Sequence, residues 1–97
     1  MNNREYIIKL YEIYKDLLNE KEKSYFEYYF YEDYSLNEIA DLYDVSKAYA
    51  SKYLSKINNK LLKYEKSLKI NDKKEKLTDY LNEIDNKEIR NKIEELL

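Results

Sequence analysis

The apolar positions near the N-terminus recur with helical spacing. Between Tyr6 and Leu18 they form two adjacent rows, at positions 6, 10, 13 and 17 and at positions 7, 11, 14 and 18. An α-helix turns once every ~3.6 residues, so both rows lie on one side of a helix. The pattern therefore predicts a helix over this segment with a wide buried face.

Asn19 marks the start of a second predicted helix. Its side chain can accept a hydrogen bond from the amides of the next turn, and the acidic Glu20 and Glu22 suit the positive end of the helix dipole. The segment carries a dense aromatic run: Tyr25, Phe26, Tyr28, Tyr29, Phe30 and Tyr31. Such a run is also compatible with a strand, but the Asn cap and the Glu/Lys-rich start favour a helix.

A short third helix follows a connector at residues 32–34. Ser35 and Glu38 have the spacing of a capping box, in which each side chain accepts a hydrogen bond from the other residue's backbone amide. The apolar residues of this helix are Leu36, Ile39, Ala40, Leu42 and Tyr43. The pattern stops at Asp44, a residue that tolerates the left-handed backbone region, and Ser46 can cap the next helix.

Two helices joined by a turn of about three residues are the arrangement of a helix-turn-helix. The motif needs a small residue where its helices cross, and Ala40 is placed to be that residue. The residues expected to fix the crossing are Ile39, Ala40, Tyr43, Val45, Ala50 and Leu54. The sequence therefore predicts a helix-turn-helix at this point of the chain.

The fourth predicted helix is long and runs without a break from Lys47 to about Lys69. Its apolar positions keep a heptad-like spacing: Ala50, Leu54, Ile57, Leu61, Tyr64 and Leu68. A heptad seam is typical of helices that pair. We expect a homodimer or partner seam at Leu54, Ile57, Leu61, Tyr64 and Leu68. The alternative is that the same row is the core of an intramolecular bundle.

Two short amphipathic helices are predicted in the C-terminal part. Asn71 and Asp72 are placed to cap the first of them, and Asp85 with Glu88 forms a box-like pair before the second. Their apolar residues are Leu77, Tyr80, Leu81 and Ile84, then Ile89, Ile93 and Leu96. We therefore divide the chain into a helix-turn-helix domain, residues 1–58, and a helical extension, residues 59–97, that docks or dimerises as part of the same domain.

The composition agrees with an all-α fold and argues against an enzyme. The chain has no Gly and no Pro, whereas strand-rich folds need the tight turns that Gly permits. It also has no Cys and no His, which excludes thiolate chemistry, His general-base catalysis and nearly all zinc sites. We expect no cofactor, no small-molecule ligand and no membrane segment, and the start of the chain lacks the apolar run of a signal peptide, which predicts a cytoplasmic protein.

Charge is distributed unevenly along the chain. Residues 1–45 hold five basic and eleven acidic side chains, whereas residues 46–69 hold seven Lys and one Glu, a net charge of +6. A segment this basic is typical of a surface that binds a polyanion. The alternative is a solvated face whose lysines pair with the acidic first half.

The start of the long helix is the candidate nucleic-acid-binding element, because the second helix of this motif enters the major groove. The candidate residues are Lys47, Ala48, Tyr49, Ser51, Lys52 and Lys56. Lysines there can contact phosphates, and Tyr49 can stack or donate a hydrogen bond. The absence of Arg, Gln and Asn early in this helix removes the strongest bidentate pairings with bases, so binding should depend on the backbone and show little sequence preference.

Residues 28–46, YYFYEDYSLNEIADLYDVS, resemble the YlxM family of small bacterial proteins. The upstream segment LLNEKEKSY at residues 17–25 and the downstream YEKSL at residues 64–68 fit the same pattern. The resemblance covers residues 5–70 well and the C-terminal third weakly. It implies a fold similar to region 4 of sigma factors, and a regulatory role in the signal recognition particle pathway, with that particle's RNA or protein as a partner.

The sequence as a whole predicts a non-enzymatic regulatory or accessory protein. Its expected partner is nucleic acid, either DNA or signal recognition particle RNA. The alternative function is a protein–protein interaction module, a homodimer or a particle-protein binder, that has lost DNA binding.

Overall fold

The computed structural model describes residues 3–97, which form six α-helices and one 3₁₀ turn. The helices are α1 (Arg4–Tyr14), α2 (Glu20–Phe30), α3 (Leu36–Tyr43), α4 (Lys47–Leu68), α5 (Ile70–Leu81) and α6 (Lys87–Glu94). The all-α prediction is confirmed. Residues 1 and 2 lie outside the described residues. The predicted start of the 1–58 domain falls there, as do the first residues of the segment predicted not to be a signal peptide.

The first helix is shorter than its apolar pattern predicts. It ends at Tyr14, and Lys15–Leu17 form a 3₁₀ turn. A 3₁₀ turn has ~3.0 residues per turn, so Leu17 rotates away from the buried side and is 53% exposed. The row at positions 7, 11, 14 and 18 is fully buried, whereas the second row is buried only at Leu10.

The three N-caps predicted for α2, α3 and α4 are present. The Asn19 side chain accepts a hydrogen bond from the amide of Glu22, and the Glu22 side chain accepts one from the backbone amide of Asn19, which completes a capping box. Ser35 and Glu38 form the second box. Ser46 accepts from the amide of Tyr49 at the start of α4. The aromatic run therefore lies in a helix, as the Asn19 cap predicted, and not in a strand.

The core is built around the apolar row of α4. Ala50, Leu54, Ile57 and Leu61 are buried, and they pack in one cluster with residues of α1, α2 and α3. The other buried members of the cluster are Ile7, Leu10, Tyr11, Tyr14, Leu18, Tyr25, Phe26, Ile39 and Ala40. The core crosses residue 58, because α4 is continuous there and Leu61 belongs to the cluster.

This packing corrects the predicted partner seam. Leu54, Ile57 and Leu61 are at most 5% exposed within one chain, so their side chains have no surface left for a second chain. Tyr64 is half-buried, and its ring centroid lies 5.9 Å from that of Tyr14. Leu68 alone of the five is open, at 45% exposure. From Ala50 to Leu61 the heptad-like row is part of the intramolecular core, because α1, α2 and α3 cover it.

A buried carboxylate joins α4 to α5. Glu65 is 8% exposed and accepts hydrogen bonds from the hydroxyl of Tyr14 at 2.6 Å and from the amides of Asn71 at 3.0 Å and Asp72 at 3.1 Å. The same Tyr14 hydroxyl accepts from the amide of Ile70 at 3.1 Å. Three amides of the first turn of α5 are thus satisfied by side chains from α1 and α4.

This arrangement differs from the caps predicted for the last two helices. The helical path is interrupted at Lys69, whose backbone is left-handed with φ of 54°. Asn71 lies inside α5 and is buried, so it does not cap this helix from a position before it. Likewise Asn86, not Asp85, caps α6, because its side chain accepts from the amide of Ile89. The predicted Asp85–Glu88 box is therefore wrong, and the cap is the next residue along the chain, Asn86.

The last helix, α6, lengthens the molecule but contributes no residue to the buried core. α6 has no buried residue, and the principal extents of the described chain are 55 × 24 × 23 Å. The C-terminal arm, residues 68–97, leaves several large apolar side chains exposed: Leu68, Ile70, Leu77, Tyr80, Ile89, Leu96 and Leu97. Among the described residues, no helix combines the length and the apolar character that a membrane span requires.

Glu65→Ala tests the hydrogen bonds by which Glu65 joins α4 to α5. The substitution leaves one hydroxyl and two amides without their acceptor, so we expect the free energy of unfolding to fall by about 2 kcal/mol in urea titrations followed by circular dichroism. The control is Glu83→Ala, an exposed position, which should change stability by less than about 0.5 kcal/mol. Equal effects of the two substitutions on the free energy of unfolding would contradict the stabilising role of Glu65.

Candidate nucleic-acid interface

The turn between α3 and α4 has the hydrogen bonds of a Schellman motif. The amide of Val45 donates to the carbonyl of Ala40 at 2.9 Å, and the amide of Asp44 donates to that of Asp41 at 3.3 Å. Asp44 adopts the left-handed conformation, with φ of 54° and ψ of 50°. Both features are typical of a helix end that reverses sharply, and they set the direction in which α4 leaves.

The helix crossing is packed as the motif requires. Ala40 is 5% exposed and Ala50 is fully buried, so small side chains let α3 and α4 approach closely. Ile39 is fully buried, Leu54 is 5% exposed, and Tyr43 and Val45 are half-buried against the core. The predicted crossing residues thus all contribute to one contact region.

All six predicted binding residues lie on the solvent side of α4. Lys47, Ala48, Tyr49, Ser51, Lys52 and Lys56 are exposed. Within the described residues, Lys47, Lys52 and Lys56 form no ion pair. The alternative was that the lysines of residues 46–69 pair with the acidic first half. In the part of the chain that the structure describes, it holds only for Lys60, which contacts Glu22.

The basic surface extends further along α4 than predicted. A shallow depression on this helix is lined by Lys52, Ser55, Lys56, Asn59, Lys60 and Lys63. The predicted set of binding residues did not include Ser55, Asn59, Lys60 and Lys63, although they recur at intervals of three, four and seven from Lys52 and Lys56. The single acidic residue of residues 46–69, Glu65, is buried and does not oppose this face.

Tyr49 belongs to a cluster that brings α2 next to the start of α4. Its ring stacks on that of Tyr53, with centroids 6.0 Å apart and planes inclined by 14°. Lys21 of α2 donates a hydrogen bond to the Tyr49 hydroxyl at 3.3 Å. This hydrogen bond raises the pKa of Lys21. Lys21 was not predicted as a member of the site.

Lys60 is held by a buried carboxylate. Its Nζ lies 2.8 Å from Oε2 of Glu22, which is 2% exposed and also completes the capping box with Asn19. Burial by itself raises the pKa of Glu22, but the hydrogen bonds from Lys60 and from the Asn19 amide outweigh it, and the net pKa is lowered. The pair therefore fixes α2 against the middle of α4.

Glu22→Gln tests the pH dependence of this pair. The folded-state pKa of Glu22 lies below the usual glutamate value of 4.5, so its ionised form stabilises the fold above about pH 4.5. That stabilisation is lost as the pH falls through the folded-state pKa. The difference in unfolding free energy between the original protein and the variant, from urea titrations at pH 7 and pH 3, should therefore shrink at low pH.

The matched control is Glu20→Gln in the same helical turn. The Glu20 side chain is 92% exposed and pairs with Lys23, so its substitution should change stability by less than about 1 kcal/mol. A Glu22→Gln difference that stays constant between the two pH values would contradict the assigned role of the carboxylate.

The described fold, with its capped turn and its exposed second helix, defines a helix-turn-helix protein. A family model for UPF0122, described as "Putative helix-turn-helix protein, YlxM / p13 like", matches residues 1–97. The chain belongs to this family, which confirms the resemblance drawn from residues 28–46.

Relatives of the chain carry the same family name. A UPF0122 protein of Ureaplasma urealyticum serovar 10 is 40% identical over 95 residues, which are 98% of this chain and 96% of the relative. One of Mycoplasma capricolum subsp. capricolum is 42% identical over 84 residues, 87% of this chain and 74% of the relative. One of Listeria innocua is 39% identical over 75 residues, 74% of this chain and 68% of the relative.

Proposed function

We propose that this protein binds the phosphate backbone of double-stranded nucleic acid through the exposed face of α4. The observation that carries the proposal is the position of Lys47, Lys52 and Lys56, which are exposed on the second helix of the motif and unpaired among the described residues. Unpaired lysines release the counterions of a polyanion without first breaking an ion pair.

Duplex DNA is the ligand that the shape of this surface favours. The major groove of B-DNA is about 12 Å wide and admits an α-helix, whereas the major groove of A-form RNA is too narrow and deep for side chains to read. α4 spans 22 residues, and Lys47, Ser51 and Lys52 in its first two turns are exposed to solvent. Signal recognition particle RNA is the second ligand to be compared.

The binding that we propose has little sequence preference. The first eleven residues of α4, KAYASKYLSKI, contain no Arg, Gln or Asn. These are the side chains that make bidentate hydrogen bonds with guanine or adenine. Phosphate contacts from Lys47, Lys52 and Lys56, aided by Ser51 and Tyr49, fix position on the duplex without reading its sequence.

The wider role that we propose is non-enzymatic, regulatory or accessory, and cytoplasmic. Membership of a family of helix-turn-helix proteins supports a regulatory or nucleic-acid-binding role. The assignment to the signal recognition particle pathway rests on the resemblance to the YlxM family alone, and the comparison of RNA with DNA below tests it.

The combined substitution of Lys47, Lys52 and Lys56 by Glu should abolish binding. Fluorescence anisotropy would follow a labelled mixed-sequence duplex and signal recognition particle RNA from low to physiological salt. We expect the unchanged protein to bind the duplex with a steep dependence on salt, because each phosphate contact contributes about −0.9 to the slope of log K against log salt. Tighter binding of the RNA would favour the particle pathway.

A control variant carries the same change of charge elsewhere. Lys73, Lys74 and Lys87, on α5 and α6, are exposed and form no ion pair among the described residues, so their replacement by Glu should leave most of the binding intact. Equal loss in both triple variants would show that only net charge matters. No binding by the unchanged protein at low salt would reject the proposed function.

The second candidate function is protein–protein interaction, either as a homodimer or with a particle protein. The observation that favours it is the exposure of large apolar residues on the C-terminal arm, with Leu68 at 45%, Ile70 at 44% and Leu77 at 42%. Ile70 and Leu77 also line one groove with Ile13, Leu96 and Leu97. Isolated helices this short are marginal in water unless they pack on another surface.

Light scattering distinguishes a homodimer from a monomer. If the arm dimerises, we expect the unchanged protein to have twice the mass of one chain and Leu77→Asp to return it to the mass of a monomer, because a carboxylate would be buried without a partner. Leu42→Asp, at a leucine of α3 that is 51% exposed, is the matched control and should stay dimeric. A monomeric unchanged protein would exclude the homodimer.

A further inference from the structure

Lys21 of α2 lies over three tyrosine rings. Its Nζ is 4.9 Å from the ring centroid of Tyr53, 5.5 Å from that of Tyr49 and 5.9 Å from that of Tyr25. Lys21 and Tyr49 are 28 residues apart in sequence, and the fold brings them together at the start of α4. The ammonium is therefore placed beside the first turns of the candidate interface.

The tyrosine cluster under Lys21 is closely packed at its base. Tyr25 is fully buried and stacks on Tyr43, with ring centroids 4.3 Å apart and planes inclined by 22°. Tyr25 also contacts Tyr53, whose ring is half-buried and 4.5 Å away between centroids. A lysine held on such a base has fewer rotamers to lose when it binds a ligand, which lowers the cost of binding.

The charge of Lys21 is not neutralised by a carboxylate. It forms no ion pair within the described residues, whereas its neighbour Lys23 pairs with Glu20 at 3.3 Å. An ammonium has three donors, and Lys21 gives one of them to the Tyr49 hydroxyl. The other two donors are free for an anion, and the Tyr49 hydroxyl, which accepts from Lys21, keeps its own hydrogen to donate.

We propose that Lys21 and the hydroxyl of Tyr49 form a preordered phosphate-binding site, so that α2 and α4 together hold the nucleic-acid backbone. The phosphate oxygens accept hydrogen bonds from the Lys21 ammonium and from the Tyr49 O–H. The cation–π contacts with the tyrosines orient the ammonium. The inference rests on the proposed function and adds a second helix to the binding surface.

Two substitutions separate the charge from the hydroxyl. Lys21→Met keeps most of the apolar stem over the rings and removes the charge, so we expect binding of a labelled mixed-sequence DNA duplex to weaken about 5- to 10-fold and the salt slope to fall by about one. Tyr49→Phe keeps the ring and removes a neutral donor, so binding should weaken about 3-fold with the slope unchanged.

Matched controls identify a purely structural role. Lys23→Met removes a charge two residues away that is already paired, and it should leave affinity and slope unchanged. Lys21→Arg keeps the charge and should bind like the unchanged protein. Loss of binding in both Lys21→Met and Lys21→Arg, together with a lowered unfolding midpoint, would mean that Lys21 only braces α2 against α4, and would overturn the inference.

The inference and the proposed function fail in different ways. If the unchanged protein binds the duplex and Lys21→Met binds it with the same affinity and slope, the phosphate site at Lys21 is wrong while binding through α4 stands. If the unchanged protein does not bind the duplex at low salt, the proposed function fails and the inference fails with it.

Discussion

The burial of one side of α4 determines the rest of the structure. Ala50, Leu54, Ile57 and Leu61 are covered by α1, α2 and α3, and this contact fixes the rotation of α4 about its own axis. Because these residues face inward, Lys52, Lys56 and Lys63 necessarily face outward. The hydrophobic contact that stabilises the fold therefore also produces the basic surface, and a rotated α4 would lose both.

Tyrosine supplies much of the core in a chain that has 13 tyrosines and no tryptophan. Tyr11 is fully buried and stacks on Phe26 with ring centroids 4.0 Å apart, while its hydroxyl bonds to Glu27. Tyr14 is also buried, and burial together with its bond to Glu65 raises its pKa to about 12. Both rings are covered and both hydroxyls reach a carboxylate, so the polar ends of Tyr11 and Tyr14 are satisfied inside the fold.

The C-terminal arm is attached differently from the helix-turn-helix. Its junction depends on polar contacts of Glu65 and Tyr14 with the first turn of α5, whereas the first four helices share an apolar cluster. The arm leaves leucines and isoleucines exposed, and α6 buries none of its residues. The molecule thus combines a well-packed half that presents lysines with an arm that presents apolar side chains.

The sequence by itself determined the elements whose causes are local. The caps at Asn19, Ser35 and Ser46 and the left-handed Asp44 each depend on residues within one turn, so their positions could be predicted from spacing. The same holds for the exposed lysines of α4, which lie opposite a periodic apolar row. Spacing also placed the family motif on the correct helices.

Only the tertiary structure decided which surface covers each helix. A heptad-like row fits a second chain or the chain's own helices equally well, and the packing of α1 to α3 on Leu54, Ile57 and Leu61 settled that choice. The bond between Tyr14 and Glu65 spans 51 residues, and the one between Lys21 and Tyr49 spans 28. Contacts over such separations depend on the angles at which helices cross, which local spacing does not encode.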